Sequence, residues 1–264
     1  MTFQPVIPTG GIVGWRFLQR TYDAQYDSFT ASAVNQRDTK YFLENISKVQ
    51  SAEDLVSDRR LLQVALGAFG LQDDLNNRFF IQKILSDGTS ADDALANRLT
   101  DSRYRDFADA FGFGPGDIPK TGLITNMEKI AQDNLTTRFE VAVGQSNDTM
   151  RVALYAQHTL ADLASEPGSD DQKWFSVMGL PAIRSMMETA LGLPSSFAQL
   201  DLDKQLEVFR DRLSRTTGSS EISQFTDPEV ISDLTDTYLA RAQIAEVQAS
   251  ISPAQTALIL LGAG

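Results

Sequence analysis

This sequence predicts an all-α fold, internally duplicated into multi-helix units, and three observations predict it. Apolar residues recur at helical spacing along most of the chain, with capping residues where that period starts and stops. Strand signals are weak: short β-branched stretches such as Gly11-Ile12-Val13 and Gly122-Leu123-Ile124-Thr125 do not alternate over a strand length between turn residues. Third, Arg59, Leu61, Leu62, Ala65, Leu66 and Gly67 recur in type and spacing as Arg184, Met186, Met187, Ala190, Leu191 and Gly192, an offset of 125 residues from Ala65 to Ala190. Ser51 and Leu55 match Ser176 and Leu180 at the same offset, and Leu99-Thr100-Asp101 answers Phe225-Thr226-Asp227 at 126. Held spacing of this kind implies a repeated unit of about a hundred residues, an ordinary module size.

The elements follow in chain order. Met1 to Thr9 lack a basic n-region, a continuous apolar stretch and a small-residue cleavage site, so no cleaved secretory signal is expected. Residues 1–21 read as an N-terminal apolar segment, partly disordered. The first helical unit spans 22–111. Helix starts are marked in it by Ser51 with Asp54 and by Ser90 with Asp93, and stops by Gly67, Gly70 and Gly88. Residues 112–122 read as a hinge, because three glycines and two prolines between Gly112 and Lys120 cannot continue a helix. The second unit spans 123–251. It is interrupted at 165–171 by an insertion, since Phe29 and Asp38 pair with Phe139 and Asp148 at an offset of only 110. Gly218 marks a stop, and Thr226-Asp227-Pro228-Glu229 combines an N-cap hydroxyl, a first-turn proline and an N3 glutamate. Ser252-Pro253-Ala254-Gln255 opens a last apolar helix, 252–264, whose run from Ala257 to Leu261 is too short to span a bilayer and must bury against something else.

Composition narrows the chemistry. At 264 residues, 42% hydrophobic and 22% charged, the chain can bury a large core. A net charge of −12 with no Lys/Arg run repels phosphate backbones, so nucleic acid is not an expected partner. Without cysteine there is no disulfide and no thiolate chemistry. His158 is the single histidine, within the apolar stretch Val152–His158, and reads as a partly buried structural residue. Gly112-x-Gly114-x-Gly116 has no preceding strand and no Gly-Lys-Ser/Thr ending, which makes it linker rather than phosphate loop. Asp73-Asp74, Asp92-Asp93, Asp170-Asp171 and Asp201-x-Asp203 lack the loop glycine and terminal glutamate of a calcium loop and read as caps or solvated faces. The sequons at Asn45, Asn134 and Asn147 have no secretory signal to give them meaning. No catalytic residue, cofactor or metal site is therefore expected. The candidate partner-binding residues are Trp15, Phe17 and Leu18 near one end and Leu258, Ile259 and Leu261 near the other, large apolar groups that need cover.

Tyr41 to Val49, Leu55 to Leu71, Ala96-Asn97-Arg98-Leu99 and Tyr104 to Phe113 resemble the family known as domain of unknown function 1217, densely over 40–113 and more loosely across 138–240. That resemblance implies an alphaproteobacterial setting among flagellar genes and carries over no catalytic residues. The expectation is a non-enzymatic, flagellum-associated structural or accessory protein working through protein–protein contacts, either cytoplasmic or exported by the flagellar apparatus without a cleaved signal. Two alternatives stand beside it. One is a cytoplasmic hydrolase or small-ligand protein with an acidic cleft between the repeats near His158; the other is an export chaperone.

Overall fold

The computed structural model describes residues 3–250. Among them there are thirteen α-helices and no strand. In order these are α1 (Gly11–Thr30), α2 (Ala33–Asn45), α3 (Ala52–Ser57), α4 (Arg59–Ala68), α5 (Arg78–Asp87), α6 (Leu95–Arg98), α7 (Arg103–Phe111), α8 (Ile124–Gly144), α9 (Asp148–Ser165), α10 (Asp170–Gly179), α11 (Pro181–Ala190), α12 (Leu202–Thr217) and α13 (Pro228–Ser250). They fall into two compact units. Among the described residues, unit 1 holds 3–6, Arg20–Ser146 and Met178–Pro181, and unit 2 holds Ile7–Gln19, Asn147–Val177 and 182–250.

In unit 1, α8 packs against α4 and α2, while α5 packs against α3 and α7. Capping sets the starts: Ser51 Oγ accepts from the Asp54 amide, and Asp58 Oδ1 accepts from the Arg60 and Leu61 amides. The core joins Phe42, Leu55, Leu62, Ile84, Phe107 and Met127. Gly67 lies inside α4, where a Cβ would run into the Asn134 carboxamide of α8, so the two helices approach closely because this residue has no side chain. Tyr22, Tyr26 and Phe29 set their rings 5.3, 5.5 and 5.5 Å from Phe139 in edge contacts. Phe29 and Phe139 are thus packing partners within unit 1.

The glycine- and proline-rich stretch 112–122 lies within unit 1, which differs from its reading as a hinge between units. Gly112 caps α7 at φ +62, Gly114 and Gly88 bring their backbones so close that a Cβ on Gly88 would stand 2.7 Å from Gly114 Cα, and Thr121 donates 2.7 Å to the buried Val49 carbonyl. These residues serve backbone conformation and close approach. The chain leaves unit 1 at Ser146, and Asn147 then caps α9 by accepting from the Met150 amide.

In unit 2, α9 packs on α13 and on the 3-10 turn Ile222–Thr226. Trp174 is fully buried, stacks on Phe209 with centroids 5.5 Å apart, and donates Nε1 to the Ser220 carbonyl at 3.0 Å. The stretch expected as an insertion, 165–171, breaks the helix and then anchors it: Asp170 accepts from Arg210 at 2.8 Å and from the Ile222 amide at 2.7 Å. The start of α13 is capped by Asp227, one residue later than expected, and Pro228 then occupies the first helical position. Ser90–Asp93 opens no helix, since α6 begins only at Leu95.

The two units share one local pattern. Both α4 and α11 end at a left-handed glycine, Gly70 at φ +67 and Gly192 at φ +65. In each case the next residue, Leu71 or Leu193, donates back to Leu66 or Glu188 at 2.9 Å, and a 3-10 turn follows. In local conformation Gly192 matches Gly70, whereas Gly67, its partner by sequence spacing, lies inside α4.

Tyr238 of α13 is 7% exposed, and burial, aided by the Asp148 carboxylate, pushes its phenol up from 10.0 to about 12. The folded state favours the neutral phenol, so this stabilisation is complete below pH 10 and is lost as pH rises from 10 through about 12, an effect on the order of 2–3 kcal/mol. Denaturant midpoints measured across that window are expected to fall, and Tyr238→Phe is expected to flatten the fall. An unchanged slope in Tyr238→Phe would show that other groups set the alkaline limit.

Candidate interaction surface

The structure separates the residues that the sequence groups as partner-binding. Trp15 and Leu18 are 1% and 0% exposed, and Phe17 is half-buried. This corrects the reading of Trp15 and Leu18 as a docking surface: α1 begins at Gly11, and its helical period turns Gly14, Trp15 and Leu18 inward. At Gly14 a Cβ would collide with the Thr9 carbonyl and with Met150 of α9. Leu258, Ile259 and Leu261 lie outside the described residues.

Elsewhere the polar side chains are engaged in holding elements. Asp38 of α2 accepts from Arg138 of α8 at 3.2 Å and pairs with Arg60 of α4 at 3.6 Å; Arg60 lies 3.8 Å over the Tyr41 ring, and Tyr41 donates to Asp58 at 2.7 Å. That hydrogen bond, with partial burial, raises the Tyr41 phenol and ties α2 to α4. Asp74 accepts from Tyr104 at 2.6 Å. Asn134 is buried, Asn147 is a cap, and Asn45 donates to the Tyr41 carbonyl at 2.8 Å. His158 is exposed on α9, edge-on to Tyr155 at 5.4 Å, which corrects its reading as partly buried. Among the described residues no group of three or more His, Asp or Glu side chains could hold a metal, and no helix is long and apolar enough to cross a membrane. A groove of about 400 Å³ in unit 1 is lined by Thr30, Gln36, Thr39, Leu43 and Leu135. The Thr39 hydroxyl is buried there with no hydrogen-bond partner.

An exposed apolar pair lies at the end of α13, and single side chains elsewhere, such as Phe79 and Ile118, are more exposed still. Its first turns bury Ile231, Leu234, Tyr238 and Leu239 in unit 2. From Gln243 to Ala249 every residue is exposed, about two turns, although the Gln243 carboxamide lies close to Gly11 of α1. Within that stretch Ile244 and Val247 are 56% and 54% exposed. At about 100° per residue Val247 lies on the side of the helix roughly opposite Ile231, Leu234 and Tyr238, and Ile244 lies at the flank of that side. Ala240, Ala242, Ala245 and Ala249 supply strong helix propensity where packing supplies little. Sequence reasoning missed this pair, although its three-residue spacing and the apolar residues after it were there to read.

Against known proteins, no curated protein matches the chain. In fold it is similar to a crystal structure of protein AGR_C_984 from Agrobacterium tumefaciens, with a TM-score of 0.72 at 22% identity, covering 92% of this chain and 99% of that one. The all-helical arrangement is therefore one that an experimentally determined structure also adopts. A family model matches residues 68–231, well over half of the chain, so the protein belongs to the family described as protein of unknown function (DUF1217).

Proposed function

We propose that this protein is a non-enzymatic, flagellum-associated structural or accessory protein that acts through protein–protein contacts made by the end of α13. The observation that carries the reading is the exposed stretch from Gln243 to Ala249, where Ile244 and Val247 are 56% and 54% exposed. Burying two such side chains on a partner is favourable by roughly 1.5–3 kcal/mol each, before the cost of association. The flagellar part rests on the family resemblance, which is association and not mechanism. It leaves two compartments, the cytoplasm or export through the flagellar apparatus.

Deletion in the source organism, scored for growth and swimming, tests the reading. Impaired swimming with normal growth is expected. Normal swimming with impaired growth would overturn it in favour of a metabolic role.

A further inference from the structure

We propose that Arg37, Arg60 and Arg138 of unit 1 form a binding site for a single phosphate group. The site is independent of the reading of α13. The three guanidiniums come from α2, α4 and α8 and converge on one carboxylate, that of Asp38. Arg138 donates to its Oδ2 at 3.2 Å, while Arg37 and Arg60 both stand 3.6 Å from its Oδ1, too far for a hydrogen bond. Asp38 is therefore oversubscribed. The Arg37 and Arg60 side chains are 68% and 43% exposed, and Arg37 donates no side-chain hydrogen bond among the described residues, so N–H groups remain for a further acceptor. Arg60 is held in place for that acceptor: its guanidinium lies 3.8 Å over the Tyr41 ring, and Tyr41 is fixed in turn by its 2.7 Å hydrogen bond to Asp58.

The charge count names the ligand. Three arginines against one aspartate leave a surplus of two positive charges. Neighbouring charges do not cancel it: Glu44 is paired with Lys40 at 3.8 Å, and Asp58 adjoins Arg59 and spends its carboxylate on the Arg60 and Leu61 amides and the Tyr41 hydroxyl. A phosphate group carries about −1.5 to −2 at neutral pH on three acceptor oxygens, which matches both the surplus and the number of guanidiniums. A carboxylate brings one charge and two oxygens. The net charge of −12 does not oppose a small anion here, because charges more than about 8 Å away are screened at physiological ionic strength. A nucleic acid would instead lay its other phosphates along an acidic surface.

The test is isothermal titration of the full chain with inorganic phosphate, with sodium chloride holding the ionic strength at about 0.15 M. Saturable binding of one phosphate per chain is expected. Arg37→Gln and Arg60→Gln are each expected to weaken it about tenfold, the loss of one charge-assisted hydrogen bond, while Lys129→Gln, which breaks an ion pair elsewhere on α8, is expected to bind as wild type does. Circular dichroism melts check that every variant is folded. Asp38→Asn separates a ligand site from a cluster that only ties helices. Without the resident carboxylate, phosphate is expected to bind more tightly and to raise the melting temperature more than in wild type; a lowered melting temperature that phosphate leaves unchanged would overturn the proposal. O-phosphoserine and serine are titrated beside phosphate. O-phosphoserine binding at least as tightly supports the site and assigns it to a phosphorylated side chain, and binding of inorganic phosphate alone supports it and assigns it to the free ion. No saturable phosphate binding, binding unchanged in both arginine variants or lost equally in Lys129→Gln, or serine binding as tightly as O-phosphoserine would overturn it.

Discussion

Trp15→Ala is expected to destabilise the protein by about 3–5 kcal/mol and to leave its association unchanged. The ring is 1% exposed, and neighbouring Leu18 is fully buried, so truncation opens a cavity in unit 2 that its surroundings fill only in part. Denaturant unfolding followed by circular dichroism gives the stability, and light scattering gives the mass. A loss below about 1 kcal/mol combined with loss of association would restore Trp15 to a docking role.

Gly67→Ala is expected to cost about 2 kcal/mol even though alanine is the better helix former. The intrinsic gain is about 1 kcal/mol. Against it stands the Asn134 carboxamide, which a Cβ would penetrate, and overpacking of that kind costs about 1–3 kcal/mol, with displacement of a 2%-exposed polar group added to it. The Asn134 amide nitrogen has no hydrogen-bond partner, so Asn134→Ala removes little that is satisfied and clears the space. The double variant is therefore expected to recover most of the loss, and a double-mutant cycle reads the coupling. A stabilised Gly67→Ala would mean that the α4–α8 contact is looser than the structure has it.

The periodicity and caps made the helices legible: Ser51, the start of α13 near Pro228, and the left-handed glycines at 70, 88 and 218 lie where local chemistry puts them. Long-range packing was not legible. Glycine and proline in 112–122 looked like flexibility because composition does not distinguish a free loop from one that uses glycine for a left-handed cap and a backbone approach. Spacing matched Gly67 to Gly192 because both follow an apolar block, yet one lets α8 approach and the other ends a helix. Trp15 was read outward because position near a chain end carries no information about burial. The candidate surface was half legible. The apolar residues beyond Ser250 drew notice, whereas Ile244 and Val247 did not. Where those two stand around α13 needed the helix phase, which only the packing of Ile231, Leu234 and Tyr238 fixes.

The most direct test of the central claim, that this protein works through the exposed face of α13, is swimming of a strain whose chromosomal copy carries Ile244→Asp and Val247→Asp, with cellular protein level matched to wild type by immunoblot. The account predicts swimming as impaired as in the deletion strain, with growth unchanged. Full swimming in that strain, beside a deletion that cannot swim, would contradict it and place the functional surface elsewhere on the molecule.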